Sequence, residues 1–585
     1  MNQRSLRWPI LLVLLTVWAT VPLVSSCGDE GVSLPTSYNT GRYRRVEILP
    51  NEKIQGAGSQ VKALNGMHGA PVTVIPGDKP LRLKYWGRLS GSPEPDGAHV
   101  SMVRVGSDVD CAISLESIFP DQSADADDPN NYQFDDLDRH VASVVGDYNP
   151  TTKSFSGGLN TARLLWQVGL NVGPKLGCQA DSQGHQLGSP FSEGVGDYPI
   201  WADVAFNTLQ HLRGVGKWST TGAPYKVHYV EYMDDPINRF PGGYTENWLA
   251  TNWERLFKVY LSFAKKIKGA WPDVKDDNEI LQPVIRVGGI SFTFTSASEL
   301  NNPTNKHGLL RFIDYCRGCR EGRETCDAEK APLDFVSFKT KTAHAYQAYE
   351  IASAIRAYLN QNGYGSVELI STSVEPDYNA TSLSTLPSLA YGDLKSAHLG
   401  AFQTAARIYF QDVPVDWMIA GRGPRVFSDL EAHTTIASFE SLIVESDYFE
   451  KDATAKPSYM ALFPFRQMKG HQRVKIGDGA DSEGMTILAS HDPNNDKVLH
   501  VIVANSNVSA GMAAITYDLV LEQFAPPQVV EIEYKLATLD RNSYGVGSFH
   551  FSETGTLSTG IHSGSLRFVH EMAVPSVHYI QFVQP

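Results

Sequence analysis

Between about residue 60 and residue 430, eight short apolar runs recur, each followed by a stretch of helical periodicity. They are Ala63–Ala70, Val100–Gly106, Ala162–Leu170, Val227–Asp235, Val284–Ile290, Leu333–Thr340, Val367–Glu375 and Val415–Gly423. Their hydrophobicity is continuous where a half-exposed strand would alternate, so these runs suit strands buried on both faces of a parallel sheet. The intervening segments read as helices. In "ENWLATNWERLFKVYLSFAKKIKGAWPD", Leu249, Trp253, Leu256, Tyr260, Phe263 and Ile267 recur at spacings of four and three and form one stripe. Thr245 suits the N-cap, and Gly269 with Pro272 marks the stop. "DLKSAHLGAFQTAARIYFQD", from Asp393, repeats the pattern after the seventh run. Eight such alternations predict an α/β fold, a (β/α)8 barrel with enlarged loops over residues 60–435. The competing arrangement is an open doubly wound sheet, but no glycine-rich phosphate loop follows the first run.

From residue 436 to 585 the texture changes. "KVLHVIVANSNV", "AITYDLVLEQF", "VVEIEYKLATLD" and "VHYIQFVQP" are strand-like runs separated by Gly, Pro, Asn and Ser turns, which predicts an accessory C-terminal β-sandwich. The stretch 28–59 reads as a linker with strands. Its "RYRRVEILP", together with "LRLKYWG" further on, is expected to join the sandwich. Neither internal repeats nor heptads are visible.

The chain opens with Arg4 and Arg7, then an apolar run from Pro9 to Val24 that is short for a bilayer span, and ends it in "VSSC". This resembles the lipobox of a bacterial lipoprotein signal over residues 1–27, with Cys27 as the lipidated residue and a membrane anchor facing the periplasm or cell exterior. An ordinary secretory signal is the alternative, and either reading places the folded part outside the cytoplasm. Across 585 residues, 42% hydrophobic and 19% charged describe a globular protein, and a net charge of −14 argues against nucleic acid as partner. Export permits disulfides among Cys111, Cys178, Cys316, Cys319 and Cys326. The run "CRGCREGRETC" has no second CxxC and no fourth nearby ligand, so a loop-stapling disulfide of open pairing is expected there and zinc is not.

In a barrel the chemistry sits at the C-terminal ends of the strands. Two of the predicted ends carry acids followed at once by proline: Asp234 and Asp235 before Pro236, and Glu375 before Pro376. Two carboxylates facing each other across a pocket are what glycosidic-bond hydrolysis needs, one as proton donor and the other as nucleophile or base. Strict alternation puts Val227, Tyr229, Glu231, Met233 and Asp235 on one face. Glu231, deeper in the strand, is expected to pair with a buried arginine.

"HYVEYMDDP" resembles the strand-four "WEIWNEP" signature of glycoside hydrolase family 39, a barrel family with acids on strands four and seven. "MVRVGSDVD" from Met102, "YPIWADVAFNTLQHLRG", "WPDVK" with "IRVGG", "APLDFVSF" from Ala331 and "AKPSYMALFPFRQM" from Ala455 are similar in the same order, over about residues 60 to 470. The resemblance implies a barrel plus β-sandwich, hydrolysis of an O-glycosidic bond in an oligo- or polysaccharide, and no metal or organic cofactor. It also carries departures. The family's Asn–Glu pair is matched by Asp234 and Asp235, its strand-seven glutamate by Ser373 with Glu375 two residues on, and its "SFH" histidine by Lys339. Arg104 and Arg422 fall where the family keeps arginines.

The resemblance therefore implies Asp235 and Glu375 as catalytic residues, with Asp234, Arg104, Lys339, Ser373 and Arg422 about the substrate. A bulge is needed to bring Glu375 into place. Three outcomes stay open: a retaining enzyme, an inverting enzyme, and a barrel that keeps only a glycan-binding cleft. Elsewhere, Trp201, Trp218 and Trp417 are candidate stacking platforms against a default of core packing. The acidic loop Asp121–Asp128 offers oxygen ligands for calcium without the spaced pattern of an EF-hand.

Overall fold

The computed structural model describes residues 43–56, 58–69, 98–106, 113–121, 123–156, 158–159, 162–169, 198–218, 224–235, 246–275, 281–300, 308–320, 325–378, 388–422, 425–426, 444–445, 455–477, 485–506, 514–525, 529, 531–543, 549–558 and 565–585. The Cys27 lipobox, Cys111, Cys178 and "LRLKYWG" lie outside these residues.

Strands one to eight of the barrel run Gly66–His68, Met102–Gly106, Arg163–Val168, Val227–Asp234, Arg286–Phe294, Phe335–Thr342, Glu368–Pro376 and Trp417–Arg422. Each apolar run supplies one of them. Neighbours pair in parallel in chain order, and strand eight returns to strand one through Ile419 opposite Gly66 and Arg422 opposite His68, so the sheet closes. This removes the open doubly wound arrangement. The strands are buried on both sides because their outward residues meet helices while their inward residues fill the lumen. Met102, Leu165, Tyr229, Phe335, Ile370 and Ile419 form an apolar plug low in that lumen.

The helix Glu246–Ala270 buries Trp253, Leu256, Tyr260, Phe263 and Ile267, the stripe read from the sequence. The helix Ser388–Tyr409 has two tasks. Phe402 and Ala405 are buried in the core that surrounds the barrel, while one ring nitrogen of His398 meets the Ser506 carbonyl of the accessory domain at 3.1 Å.

The accessory domain is a nine-stranded sheet bent into two layers over Val46, Leu499, Val501, Leu519, Phe568 and Phe582. The strand Gln472–Ile476 belongs to both layers. Its start pairs with Met485–Asp492 and its end with Tyr43–Lys53, where the register slips between Leu49 and Lys53. "RYRRVEILP" thus does enter this sheet, lying between Gln472–Ile476 and Ile515–Leu521. It alternates, with Tyr43 and Arg45 exposed and Val46 and Ile48 buried, as a strand with one face in a sandwich core must.

In the cysteine-rich run, Cys319 and Cys326 form the disulfide and Cys316 keeps a buried thiol.

Candidate active site

Charged groups gather in the barrel lumen above the apolar plug. Arg104 on strand two is wholly buried. Its Nε donates to Glu231 Oε2 at 2.5 Å, its Nη2 to Asp234 Oδ1 at 2.9 Å, and its Nη1 lies 3.3 Å from His68 Nδ1. Lys339 on strand six donates from Nζ to Asp234 Oδ2 at 2.6 Å. Two cations and two carboxylates are thereby drawn together out of water, an arrangement whose desolvation cost only such close pairing offsets. Burial pushes the Glu231 carboxyl up from the ordinary carboxylate range; the Arg104 charge opposes that push and the Asp234 charge adds to it.

Strict alternation on strand four does not hold to its end. Tyr229 and Glu231 face the lumen as expected, but Met233 sits in the core between barrel and helices and Asp234 turns inward. The cause is local. Met233 adopts φ of 58° and Asp235 φ of 43°, left-handed values that reset which way the next side chain points. Asp235 is also buried. Its N–H donates to the Ser291 carbonyl at 2.6 Å and its Oδ2 accepts from the Thr293 hydroxyl at 2.6 Å, both on strand five.

Strand seven breaks its alternation too. Against strand six, Phe338 faces Ser371 and Lys339 faces Ser373, so Thr372 is one residue too many. Ile370 faces the lumen plug, and counting evenly from it would send Ser373 and Glu375 outward. With Thr372 taken up as a bulge, Ser373 lies beside Lys339 and Glu375 beside Lys341, both on the lumen side. The Ser373 hydroxyl donates to Glu375 Oε1 at 2.8 Å, and Glu375 is half-buried. The bulge residue is itself anchored, since its Oγ1 lies 2.6 Å from Ser291 Oγ and its carbonyl meets His68 Nε2.

Of the residues read from the sequence, Arg104, Asp234 and Lys339 are joined in one network, Asp235 adjoins it on strand four, and Ser373 and Glu375 are joined on strand seven. Arg422 ends strand eight opposite His68, and its side chain lies outside the described set. Glu231 pairs with a buried arginine, Arg104. Sequence reasoning passed over His68, Ser291 and Thr293. The signal for the last two was present in "SFTF", where small hydroxyl residues alternate with phenylalanines.

Trp201 and Trp218 are core residues, and Trp417 starts strand eight, at the end of the barrel away from the acids. Its Nε1 donates to the Tyr229 hydroxyl at 3.2 Å. In the acidic loop, Asp121, Asp125 and Asp128 accept backbone N–H bonds from residues two places on, the ordinary work of turn aspartates.

The chain is thus a closed (β/α)8 barrel with an accessory β domain, carrying acids at the ends of strands four and seven. No protein-family model matches it, and no curated protein does. Among solved structures it is similar to a glucosidase from Croceicoccus marinus, over 93% of this chain and 99% of that one, at 19% identity and a TM-score of 0.56. It is also similar to a bacterial orthologue of human α-L-iduronidase, over 93% and 84%, at 10% identity and a TM-score of 0.53. These neighbours are glycoside hydrolases. At such identities the likeness is one of fold.

Proposed function

We propose that this chain is an exported, membrane-anchored glycoside hydrolase of the family 39 type, cleaving an O-glycosidic bond of an oligo- or polysaccharide. The observation that carries the proposal is the double break of alternation, which turns Asp234 inward, buries Asp235 beside strand five, and sends Glu375 to the lumen side of strand seven. In this reading Asp235 protonates the departing oxygen. Glu375 either attacks the anomeric carbon, with carboxyls about 5–5.5 Å apart and retention, or activates water across about 6.5–9.5 Å with inversion. Ser373 steadies Glu375. Asp234 acts as the counter-charge that holds Arg104 and Lys339 at the cleft floor. Arg422 contributes at the rim. The chemistry needs no metal or organic cofactor. Lipidation at Cys27 would hold the protein at the envelope, where polysaccharide is met.

A second reading, glycan binding without hydrolysis, draws on Ser373, which stands where the family's glutamate is expected. One experiment separates the two. Wild type, Asp235→Ala and Glu375→Ala are screened on aryl glycosides, glucosides and iduronides among them, and on oligosaccharides. Hydrolysis by wild type that both changes abolish supports the enzyme. A wild type that retains glycans on affinity gels yet cleaves none of them leaves the binding protein. For the anchor, labelled fatty acid is expected to enter wild type and not Cys27→Ala.

A further inference from the structure

Asp234 and Asp235 are consecutive, and in a regular strand consecutive side chains point to opposite faces. Here both are buried at the lumen end of strand four. A left-handed aspartate is costly, and such conformations persist only where the surroundings over-determine them. Strand five supplies two contacts to Asp235, one to its main chain and one to its carboxylate, through residues two apart and so on the same face: the Ser291 carbonyl and the Thr293 hydroxyl, each at 2.6 Å. Phe292 and Phe294, which alternate with them, are fully buried in the outer core, so strand five is fixed in place. Thr293 is β-branched and stiff at χ1, which aims its hydroxyl. Ser291 also reaches the other acid-bearing strand, its Oγ lying 2.6 Å from Oγ1 of Thr372, the extra residue that turns Glu375 inward.

We infer that strand five is the gauge of this site: Ser291 and Thr293 clamp Asp235, and Thr293 is the positioning residue for its carboxylate. The inference rests on the reading of Asp235 as the proton donor for its kinetic consequence, and on geometry alone for its structural one. Thr293 lies beside Lys339 in register, so the two partners of the acid pair are neighbours, Lys339 holding Asp234 and Thr293 holding Asp235.

The test compares full-length wild type, Thr293→Val and Thr293→Ser by crystallography and by steady-state kinetics on whichever glycoside the screen identifies. Valine keeps the shape and removes the hydroxyl; serine restores it. In Thr293→Val the Asp235 carboxylate is expected to turn from its place, and in Thr293→Ser to stay. A displacement near 1 Å costs about 100-fold in rate, so kcat should fall by about that factor in the valine variant while KM holds, and serine should recover most of it. An Asp235 that does not move in Thr293→Val overturns the inference. So does a serine variant as impaired as the valine one, whereas a displaced Asp235 with kcat unchanged upholds the clamp and overturns the reading of Asp235 as proton donor. A wild type inert on every glycoside removes the hydrolase reading, and the crystal structures then decide the clamp by themselves.

Discussion

The barrel and the accessory sheet of this chain both bury titratable groups, and they differ in the backbone that carries them. In the barrel lumen, Arg104, Glu231, Asp234 and Lys339 are charge-paired, and the backbone around the acids is irregular, with left-handed Met233 and Asp235 and a bulge at Thr372. In the accessory sheet Asp518 is likewise charge-paired, with Arg567, but on a regular ladder, and buried histidines stand on such ladders beside it. Burial holds His500 and His578 down to about 3, so both stay neutral, each with its Nδ1 hydrogen-bonded to a tyrosine hydroxyl, Tyr579 at 2.7 Å and Tyr517 at 2.8 Å. The difference lies in backbone regularity more than in charge. Neutral pairs and a charge pair on a regular ladder satisfy a core at small cost, whereas left-handed residues beside paired charges are the kind of outlier from which a functional site is proposed.

The contrast breaks first at Arg104. Arg104→Met strands Glu231 and Asp234 without their shared partner, and chemical denaturation should show a loss of about 3–5 kcal/mol. A loss below about 1 kcal/mol would place the lumen network on the same footing as the sheet's neutral pairs.

Next comes pH. The unfolded chain protonates His578 near the ordinary imidazole value while the fold holds it neutral, so its stability is complete above about 6.5 and is lost as pH falls toward about 3. Between pH 7 and 5 this amounts to about 2 kcal/mol for such a group, and His578→Gln should flatten the slope. Glu231 has the other sign. Its proton is held further up in the fold than in the unfolded chain, so its contribution weakens as pH rises above the ordinary carboxylate range. The sequence has no tryptophan after Trp417. Tryptophan fluorescence should therefore follow the barrel, and circular dichroism in addition the sheet, with acid expected to strike the sheet first.

Smaller still, Tyr517→Phe removes the hydroxyl hydrogen-bonded to the His578 Nδ1 and should cost about 1 kcal/mol in thermal or chemical unfolding. The least effect belongs to the exposed helix pair Glu254 and Lys258, 3.7 Å apart and four residues along the helix, where Glu254→Ala should cost below about 0.5 kcal/mol.

Much of the fold is legible before any coordinates. The eight barrel strands announce themselves because a strand buried on both faces must be apolar throughout, and "RYRRVEILP" does so because a strand with one face in a sandwich must alternate. The acids are legible as strand-terminating residues before proline. Their directions are not. Period two predicts Met233 inward and Asp234 outward, and the reverse occurs because Met233 adopts a left-handed φ, for which methionine is no signal. The bulge that rescues Glu375 was required by the resemblance, yet nothing in "STSVE" says that Thr372 is the surplus residue. The Cys319–Cys326 pairing was likewise open, three closely spaced thiols allowing several choices.

One feature of the accessory domain bears on how the protein is made. The strand Tyr43–Lys53 lies inside the sheet, flanked by Gln472–Ile476 and Ile515–Leu521. On the ribosome this strand emerges before the whole barrel and both of its neighbours only after it. Until they appear, a segment patterned for a dry interior must be sheltered by the nascent barrel or by a chaperone. A gene trimmed to begin at the first barrel strand would yield a sheet with a slot through its middle, open to strands from other molecules.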